Sequence, residues 1–283
     1  MSENRPGNGQ ILVAMDGSSP AQAAASSAIH IASTQHLSIR GLNVVSTRLV
    51  MEPYSNYQEE LKHGQRLDSR SELVKQFARQ GNKALQWLEE RCRGQNIPVT
   101  TEILFGGVRE LLLKEANQST MIAQGQRGYR HNGDGKRIGH NFRKVAHRAE
   151  IPILVGDEEQ ESLRRVLLAY NGSTRARQAL TRVVRWQTNS FEQVVVVVVR
   201  QIGNVSQQRL SKVQADLDAS GLSDYVFVNR RGRPASQIVA AAVESRADLI
   251  VMGSFRYPAL IEWLLGSTVR GVLRKTHLPV MLV

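Results

Sequence analysis

Two glycine-containing loops carry the residue types best suited to bind a phosphate group. They contain Gly125, Gly128 and Gly139 in the first half of the chain, and Gly253, Gly266 and Ser267 in the second half. Each loop stands between a short apolar run and a segment with apolar residues at helical spacing. Free amides at a helix start, together with the helix dipole, favour an anion. The loops therefore predict phosphate sites, with glycines that serve only turns as the alternative.

A polar side chain also follows the first apolar run of each half. Asp16 follows the run 11–15 and begins Asp-Gly-Ser, whereas Asn171 begins Asn-Gly-Ser shortly after the run 166–169. Asp16 is suited to contact a ligand, and its alternative role is to hydrogen-bond the backbone of its own turn. Asn171 can also bond a hydroxyl, but without a charge.

Strands that alternate with helices must position these residues. Apolar runs predict strands at 11–15, 37–45, 99–105, 120–123 and 151–155, then at 166–169, 194–199, 225–228, 249–252 and 280–282. Helical spacing predicts helices at 21–32, 73–92, 108–116 and 142–149, then at 176–186, 205–219 and 236–243, and after residue 266. This alternation is typical of an α/β fold with parallel strands and right-handed crossovers.

The second half repeats the element order of the first. Asp16 and Asn171 lie 155 positions apart, Val44 and Val198 lie 154 apart, and the two glycine loops lie 127 to 128 apart. The difference of about 28 places an insertion at about 48–75, either a longer connection and helix or a lid or partner surface. The acidic run 157–161 marks the linker, so we predict domains at 1–156 and 157–283.

Composition narrows the class of protein. Of the 283 residues 41% are hydrophobic and 22% charged, as in globular proteins, and the net charge of +12 favours anionic ligands without identifying one. The longest aliphatic run, 194–199, is too short to cross a bilayer, and residues 1–7 lack a signal-peptide pattern. The single cysteine, Cys92, fits a reducing cytosol and a packing role without chemistry. We therefore expect a cytoplasmic protein that does not contact membranes.

Taken together, the element order, the two turns and the two loops resemble the universal stress protein family over nearly the whole chain, twice. The loop of that family is Gly, two residues, Gly, nine residues, Gly, and then Ser or Thr. The second half matches this pattern at Gly253, Gly266 and Ser267, with Arg256 in place of the second glycine.

The first half resembles the same loop with different departures. Gly125 and Gly128 match in spacing, but ten residues separate Gly128 from Gly139, and His140 replaces the Ser or Thr. Further basic residues crowd this loop, namely Arg127, Arg130, His131, Lys136 and Arg137.

The resemblance implies a Rossmann-like α/β fold with two tandem five-stranded parallel sheets flanked by helices. It also implies that the strand 153–155 pairs with the strand 280–282 inside one chain, as an intramolecular pseudo-dimer, and that a further homodimer can form. In nucleotide-binding members, the acid after strand one contacts the adenine or ribose side, and strand two supplies a backbone contact to adenine. The glycine loop holds the phosphates.

By resemblance, these roles fall on numbered positions of this chain. Asp16 and Asn171 stand at the acidic position, and Val44 and Val198 near the adenine contact, with side chains suited to core packing. The implied ligand is ATP or a related adenine nucleotide, with magnesium accompanying it.

The departures from the family pattern leave alternatives open. Arg256 either blocks close approach of a ligand or brings a guanidinium to a phosphate. If both loops have decayed, the protein is a partner-binding scaffold that acts through the insertion at 48–75. The basic segment 127–148 indicates a solvated or phosphate-facing surface rather than a nucleic-acid site, because Tyr129 and Phe142 are its only aromatic residues.

Catalysis has little support in the sequence. His140 and His147 match no familiar metal-ligand spacing, and no activating base stands next to Ser18 or Ser267. We therefore expect weak nucleotide hydrolysis at most. The main hypothesis is a tandem stress-response or signalling protein that binds an adenine nucleotide in one or both halves, and a scaffold with degenerate sites is the alternative.

Overall fold

Ten strands and eight helices alternate along the part of the chain that the computed structural model describes, residues 9–46, 67–128, 138–160, 162–200, 207–254 and 266–283. The strands are β1 (Gln10–Ala14), β2 (Ser38–Ser46), β3 (Val99–Gly106), β4 (Met121–Gly125), β5 (Ile153–Gly156), β6 (Arg165–Ala169), β7 (Gln193–Arg200), β8 (Tyr225–Arg231), β9 (Leu249–Met252) and β10 (Val280–Leu282). The helices are α1 (Ser19–Gln35), α2 (Leu67–Arg93), α3 (Val108–Ala116), α4 (His140–Arg148), α5 (Thr174–Ser190), α6 (Gln207–Asp218), α7 (Pro234–Glu244) and α8 (Ser267–Leu273). The predicted α/β alternation is confirmed.

The strands form one continuous sheet in the order β3-β2-β1-β4-β5-β10-β9-β6-β7-β8. Neighbours pair in parallel within each half, and β5 pairs with β10 antiparallel through Val155–Val280, Leu154–Met281 and Ile153–Leu282. The pairing of 153–155 with 280–282 that the resemblance implied is therefore confirmed. It also joins the two expected five-stranded sheets into one, because each half covers the edge strand of the other.

Helices cover both faces of this sheet. One buried cluster packs α1, α2, α5 and α6 on one face, and the second packs α3, α4, α7 and α8 on the other. The strands in the middle of the sheet are buried on both faces, as the continuous apolar runs predicted.

The Asp-Gly-Ser and Asn-Gly-Ser turns start equivalent helices. The Ser18 hydroxyl accepts a hydrogen bond from the Ala21 N–H at 3.3 Å, and the Ser173 hydroxyl accepts one from the Ala176 N–H at 3.2 Å. Each serine therefore caps its helix, α1 or α5, and satisfies an amide that has no acceptor inside the helix.

The register of the strands gives the equivalence of the two halves residue by residue. Ala14 pairs with Leu42 in the first half, and Ala169 pairs with Val197 in the second. The offset in strand two is therefore 155, as it is at the first strand, rather than the predicted 154. Val199, not Val198, is the counterpart of Val44, and a shift of one residue exchanges the two faces of the sheet.

The predicted insertion lies mostly outside the described residues, which exclude 47–66. Its end is helical, because α2 runs for 27 residues from Leu67, whereas its counterpart α6 has 12 described residues. The longer helix in the first half stays a prediction, because residues 201–206, directly before α6, lie outside the described residues. Of the described helices, none has both the length and the hydropathy that crossing a bilayer requires.

Candidate functional site

A cavity of about 450 Å³ opens at the carboxyl ends of β1, β2 and β4. It lies where the chain reverses its direction of winding, since β2 and β3 extend the sheet to one side of β1 while β4 and β5 extend it to the other. Open α/β sheets bind ligands in the crevice at such a switch point. All five residues predicted for the first half line the cavity: Asp16, Val44, Gly125, Gly128 and Gly139.

One side of the cavity is apolar and shaped by β2 and α2. Val44, which is half-buried, and Phe77 from α2 both line it. Beside them Asn43 is buried, and its Nδ2 donates to the Met15 carbonyl at 2.6 Å. Gly81 makes room for this amide, because a Cβ at Gly81 would lie 2.4 Å from Asn43 Oδ1. This side can hold a flat ring against aliphatic and aromatic carbon.

Gln124 places an unsatisfied acceptor at the cavity. The residue is 8% exposed and lines the cavity, and its Oε1 has no hydrogen-bond partner among the described residues. A buried polar atom without a partner is costly, and a bound water, ion or other molecule is one way in which native structures satisfy it. Gln124 can therefore accept a hydrogen bond from an N–H or O–H group of a ligand.

Asp16 combines its two predicted roles. Its Oδ1 accepts hydrogen bonds from the Ser18 N–H at 2.9 Å and from the Ser18 hydroxyl at 2.6 Å, which holds the turn. Its Oδ2 lies on the side of Gly128, 3.0 Å from where a Cβ of Gly128 would be. The carboxylate is exposed and lines the cavity, so one oxygen serves the turn while the other stands near the loop.

The loop glycines permit close approach of main chains. A Cβ at Gly125 would lie 2.7 Å from the Ala21 nitrogen at the start of α1, and one at Gly139 would lie 3.1 Å from the Gln126 carbonyl oxygen. Gly139 is also the N-cap residue of α4 and makes no side-chain cap bond. The first turn of α4 borders the cavity through His140 and Asn141, so the positive end of a helix dipole faces it.

Arg127 ties the loop to the second half of the chain. Its guanidinium pairs with Asp157, a carboxylate that is 8% exposed and that also lies 3.0 Å from His277 Nδ1. Next to it, Gln126 Nε2 donates to the Leu273 carbonyl at 2.8 Å. These bonds fix the position of the loop through residues that the motif did not include.

The counterparts in the second half are arranged differently. Asn171 is exposed and accepts from the Ser173 N–H at 3.1 Å, which repeats the turn of Asp16. Val198 is buried in the core on the face opposite to that of Val199. A Cβ at Gly253 would lie 2.8 Å from the Ala176 nitrogen, so this glycine allows β9 to approach α5 as Gly125 allows β4 to approach α1.

The remaining second-half residues are only partly described. Gly266 is the N-cap residue of α8 without a side-chain cap bond, and Ser267, the first residue of that helix, is exposed. Arg256 lies outside the described residues, as do Arg130, His131, Lys136 and Arg137 of the first loop.

The sequence motifs missed several polar or aromatic lining residues, among them Asn43, Phe77 and Gln124. The sequence contained a signal that could have identified Gln124. Gln124 and Gln126 are polar residues directly after the apolar run of β4, where the carboxyl edge of the sheet begins. Asn43 likewise interrupts the apolar run of β2. Phe77 carries no such pattern, because its approach to the cavity depends on how α2 packs.

The cysteine and histidine side chains were the other candidates for chemistry. Cys92 is fully buried, and burial with the Glu89 charge raises the pKa of its thiol from 9.0 to about 11, which disfavours the reactive thiolate. His140 lines the cavity. Within the described ranges, no three His, Cys, Asp or Glu side chains are grouped to hold a metal ion.

Comparisons with known proteins agree with this architecture. The model of the universal stress protein family matches residues 7–155 and, a second time, residues 162–283. A universal stress protein of Synechocystis is 24% identical over 182 residues, 64% of this chain, and the match spans 59% of that relative's length.

Solved structures show a similar fold. The crystal structure of a universal stress protein from Archaeoglobus fulgidus has a TM-score of 0.71 at 18% identity, and the match covers 97% of this chain and 95% of that one. A further universal stress protein, solved in complex with cAMP, is 24% identical over 44% of this chain and 98% of its own, with a TM-score of 0.37.

Proposed function

The chain belongs to the universal stress protein family as a tandem member, and we propose that its first half binds an adenine nucleotide in the cavity at the carboxyl ends of β1, β2 and β4. The observation that carries the proposal is the convergence of a ring-sized apolar side and a glycine loop around the unsatisfied Gln124 amide. An adenine ring has both an apolar face and an exocyclic amine that donates hydrogen bonds. Gln124 Oε1 is suited to accept from that amine.

The glycine loop and the start of α4 form the proposed phosphate side of the cavity. Gly128 and Gly139 bring no side chain to this side, and α4 begins here with the positive end of its dipole. The Gly139 N–H itself donates to the Gln126 carbonyl at 2.9 Å. Asp16 lies between the two sides, where its Oδ2 is suited to accept from a ribose hydroxyl. Magnesium, if it accompanies the nucleotide, would be held by the phosphates in this proposal.

The second half is proposed to bind no nucleotide of its own. The counterparts of Asn43 and Gln124 are the apolar residues Val198 and Met252, and Asn171 replaces the charge of Asp16. The expected stoichiometry is therefore one nucleotide per chain. The second candidate function, a partner-binding scaffold in stress response or signalling, is favoured for this half by the same replacements. We also propose that the protein is cytoplasmic and that its two domains comprise residues 1–156 and 157–283.

Isothermal titration calorimetry with ATP, with and without magnesium, tests the nucleotide proposal. Asp16→Asn is the informative variant, because Asn171 demonstrates that asparagine supports the same turn. It removes one charged acceptor and should weaken ATP binding by about tenfold or more. The matched control is Asn171→Asp, which changes the equivalent position and should leave ATP affinity unchanged.

Two outcomes would overturn the proposal. The first is no saturable heat with the unmodified protein at millimolar ATP. The second is unchanged affinity in Asp16→Asn together with a loss in Asn171→Asp, which would transfer the site to the second half. A stoichiometry of two would contradict the assignment of a single site.

A further inference from the structure

A second cavity, of about 310 Å³, lies at the junction of the two halves. Because β5 and β10 are antiparallel, the start of β5 lies beside the end of β10, with Ile153 opposite Leu282. The cavity occupies this junction between α5 and the segment that leads from α4 into β5. It includes none of the residues assigned above to nucleotide binding in either half.

Three arginines of α5 form one wall of the junction cavity: Arg175, Arg182 and Arg185. Their spacings of seven and three residues place them on the same side of an α-helix. The opposite wall and floor are largely apolar and include Ile151, Pro152 and Leu282. Glu150 is the one acidic side chain among the lining residues that the structure describes.

The charges of this wall are not neutralised by the protein residues described. Neither Arg182 nor Arg185 forms an ion pair with a described carboxylate; Arg182 instead lies over the Trp186 ring at 5.5 Å from its centroid. Arg175 donates to the Gln178 amide oxygen at 3.0 Å. By contrast Arg177, on another side of the same helix, lies 3.4 Å from Asp216. The uncompensated charge is therefore concentrated at the cavity.

This arrangement destabilises the charged form of the Arg182 side chain. Burial, and then the neighbouring charge of Arg185, lower its pKa. A bound anion would relieve both causes, because it would replace lost hydration and offset the repulsion between the two guanidinium groups.

The repeated fold does not by itself produce the cavity. At the offset of 155, the first-half counterparts of Arg175, Arg182 and Arg185 are Pro20, Ser27 and His30. In the first half, the end of β5 packs directly on α1, since a Cβ at Gly156 would lie 2.2 Å from the Ala24 nitrogen. The arginine wall is thus specific to the second half.

We propose that the junction cavity binds a phosphate dianion through Arg175, Arg182 and Arg185. Guanidinium groups hold phosphate oxygens by paired, charge-assisted hydrogen bonds, and the three arginines outnumber Glu150, the acidic side chain among the described lining residues. The phosphate is either free or carried by a small organic molecule whose carbon part contacts Ile151, Pro152 and Leu282. The site is independent of the proposed nucleotide site.

Calorimetric titration of the full chain with inorganic phosphate and with phenyl phosphate, in chloride buffer of matched ionic strength, tests the proposal. The double variant Arg182→Gln/Arg185→Gln should weaken binding of the probe by about tenfold or more. Arg91→Gln/Arg164→Gln is the matched control, because it also removes two positive charges, each from an exposed ion pair, with Glu159 and with Glu192. That control and Asp16→Asn should both bind the probe as the unmodified protein does.

The outcomes separate the two sources of phosphate and the two proposals. Tighter binding of phenyl phosphate indicates an organic phosphate on the apolar floor, and equal or tighter binding of inorganic phosphate indicates the free ion. If the unmodified protein binds a phosphate probe but not ATP, only the nucleotide proposal is overturned. Because Arg185 is exposed, Arg185→Glu keeps the fold if the double variant unfolds, and it should abolish binding.

The proposal is overturned if neither probe binds saturably at millimolar concentration. It is also overturned if the folded variants bind as tightly as the unmodified protein, or if the control Arg91→Gln/Arg164→Gln loses as much affinity as Arg182→Gln/Arg185→Gln. The last result would show a response to net charge rather than to this cavity.

Discussion

Gln124 is the residue whose surroundings are most informative about what the first cavity binds. Its amide oxygen is buried without a partner among the described residues, whereas the neighbouring Gln126 uses its amide nitrogen to bond the Leu273 carbonyl. Two glutamines of similar burial thus differ in whether the protein satisfies them. This difference is the reason why we propose ligand contact for Gln124 and a structural role for Gln126.

Gln124→Leu should leave the stability of the protein unchanged or raise it, because replacing an unsatisfied buried amide with an apolar group removes a desolvation cost. The same change should weaken ATP binding by about tenfold, since the hydrogen bond to the ligand is lost. Urea denaturation and calorimetric titration measure the two effects.

Gln126→Leu is the control for this pair. It leaves the Leu273 carbonyl without its donor and should cost about 1–3 kcal/mol of the free energy of unfolding. If Gln124→Leu proved as destabilising as Gln126→Leu, Gln124 would have a structural partner, and its role at the cavity would be refuted.

Single residues also mark the limit of what the sequence could predict. The positions Asp16, Gly125, Gly128 and Gly139 could be found from motif spacing, and the structure brings them to one cavity. The counterpart of Val44 in the second half could not be found in this way, because an error of one residue in the offset changes the face of a strand while leaving its apolar pattern intact. Only the pairing register distinguishes Val198 from Val199.

At the scale of elements, the packing of α1 against the sheet positions the glycine loop. Gly125 and Gly156, at the ends of β4 and β5, both lie against the main chain of α1 near Pro20. The helix therefore approaches the sheet more closely than a side chain would permit. Since α1 begins at the Asp16 turn, its distance from the sheet sets where Asp16 stands relative to Gly128.

Gly156→Ala should destabilise the protein by about 1–3 kcal/mol, because the added Cβ would meet main-chain atoms of Ala24 and Pro20 that cannot rotate away. Gly94→Ala is the control, since its Cβ would have ordinary contacts at 3.6 Å and should change stability by less than about 0.5 kcal/mol. Urea denaturation compares the two. Equal effects would show that close approach of α1 is not required.

The elements themselves could be predicted well, because long apolar periodicities decide whether a segment is a strand or a helix. The ends could not be predicted as well. β8 continues to Arg231 through a polar end, and α2 begins at Leu67, earlier than its apolar spacing indicated. The polar end of β8 is maintained by its pairing with β7, where Arg200 lies opposite Arg231, and the local pattern does not contain that information.

At the scale of the whole molecule, the antiparallel pairing of β5 with β10 makes one structural unit of two repeats. Hydrogen bonds of side chains reinforce it, with Arg127, Asp157 and His277 on one path and Gln35, Ser190 and Thr34 on another. The sequence contained the repeat, and the pairing could be inferred only by resemblance. Apolar runs alone do not specify which strand pairs with which.

This arrangement predicts that the two halves unfold together. Separating them would expose β5 and β10, whose side chains are buried on both faces, and would break the bond from Gln126 to Leu273. Differential scanning calorimetry should therefore show one transition, and hydrogen exchange should be slowest in β5, β10 and their neighbours. Their amides should exchange about tenfold or more slowly than those of the edge strands β3 and β8, where Phe105 and Val226 are exposed.

The same exchange measurement would reveal halves that unfold independently. If the halves were independent domains that merely touch, two transitions would appear, and β5 and β10 would exchange as fast as β3 and β8, because each would be an edge strand of its own sheet. Such exchange would contradict a continuous core. It would also weaken the case for the junction cavity, since that site requires α5 of one half and the start of β5 of the other to keep a fixed separation.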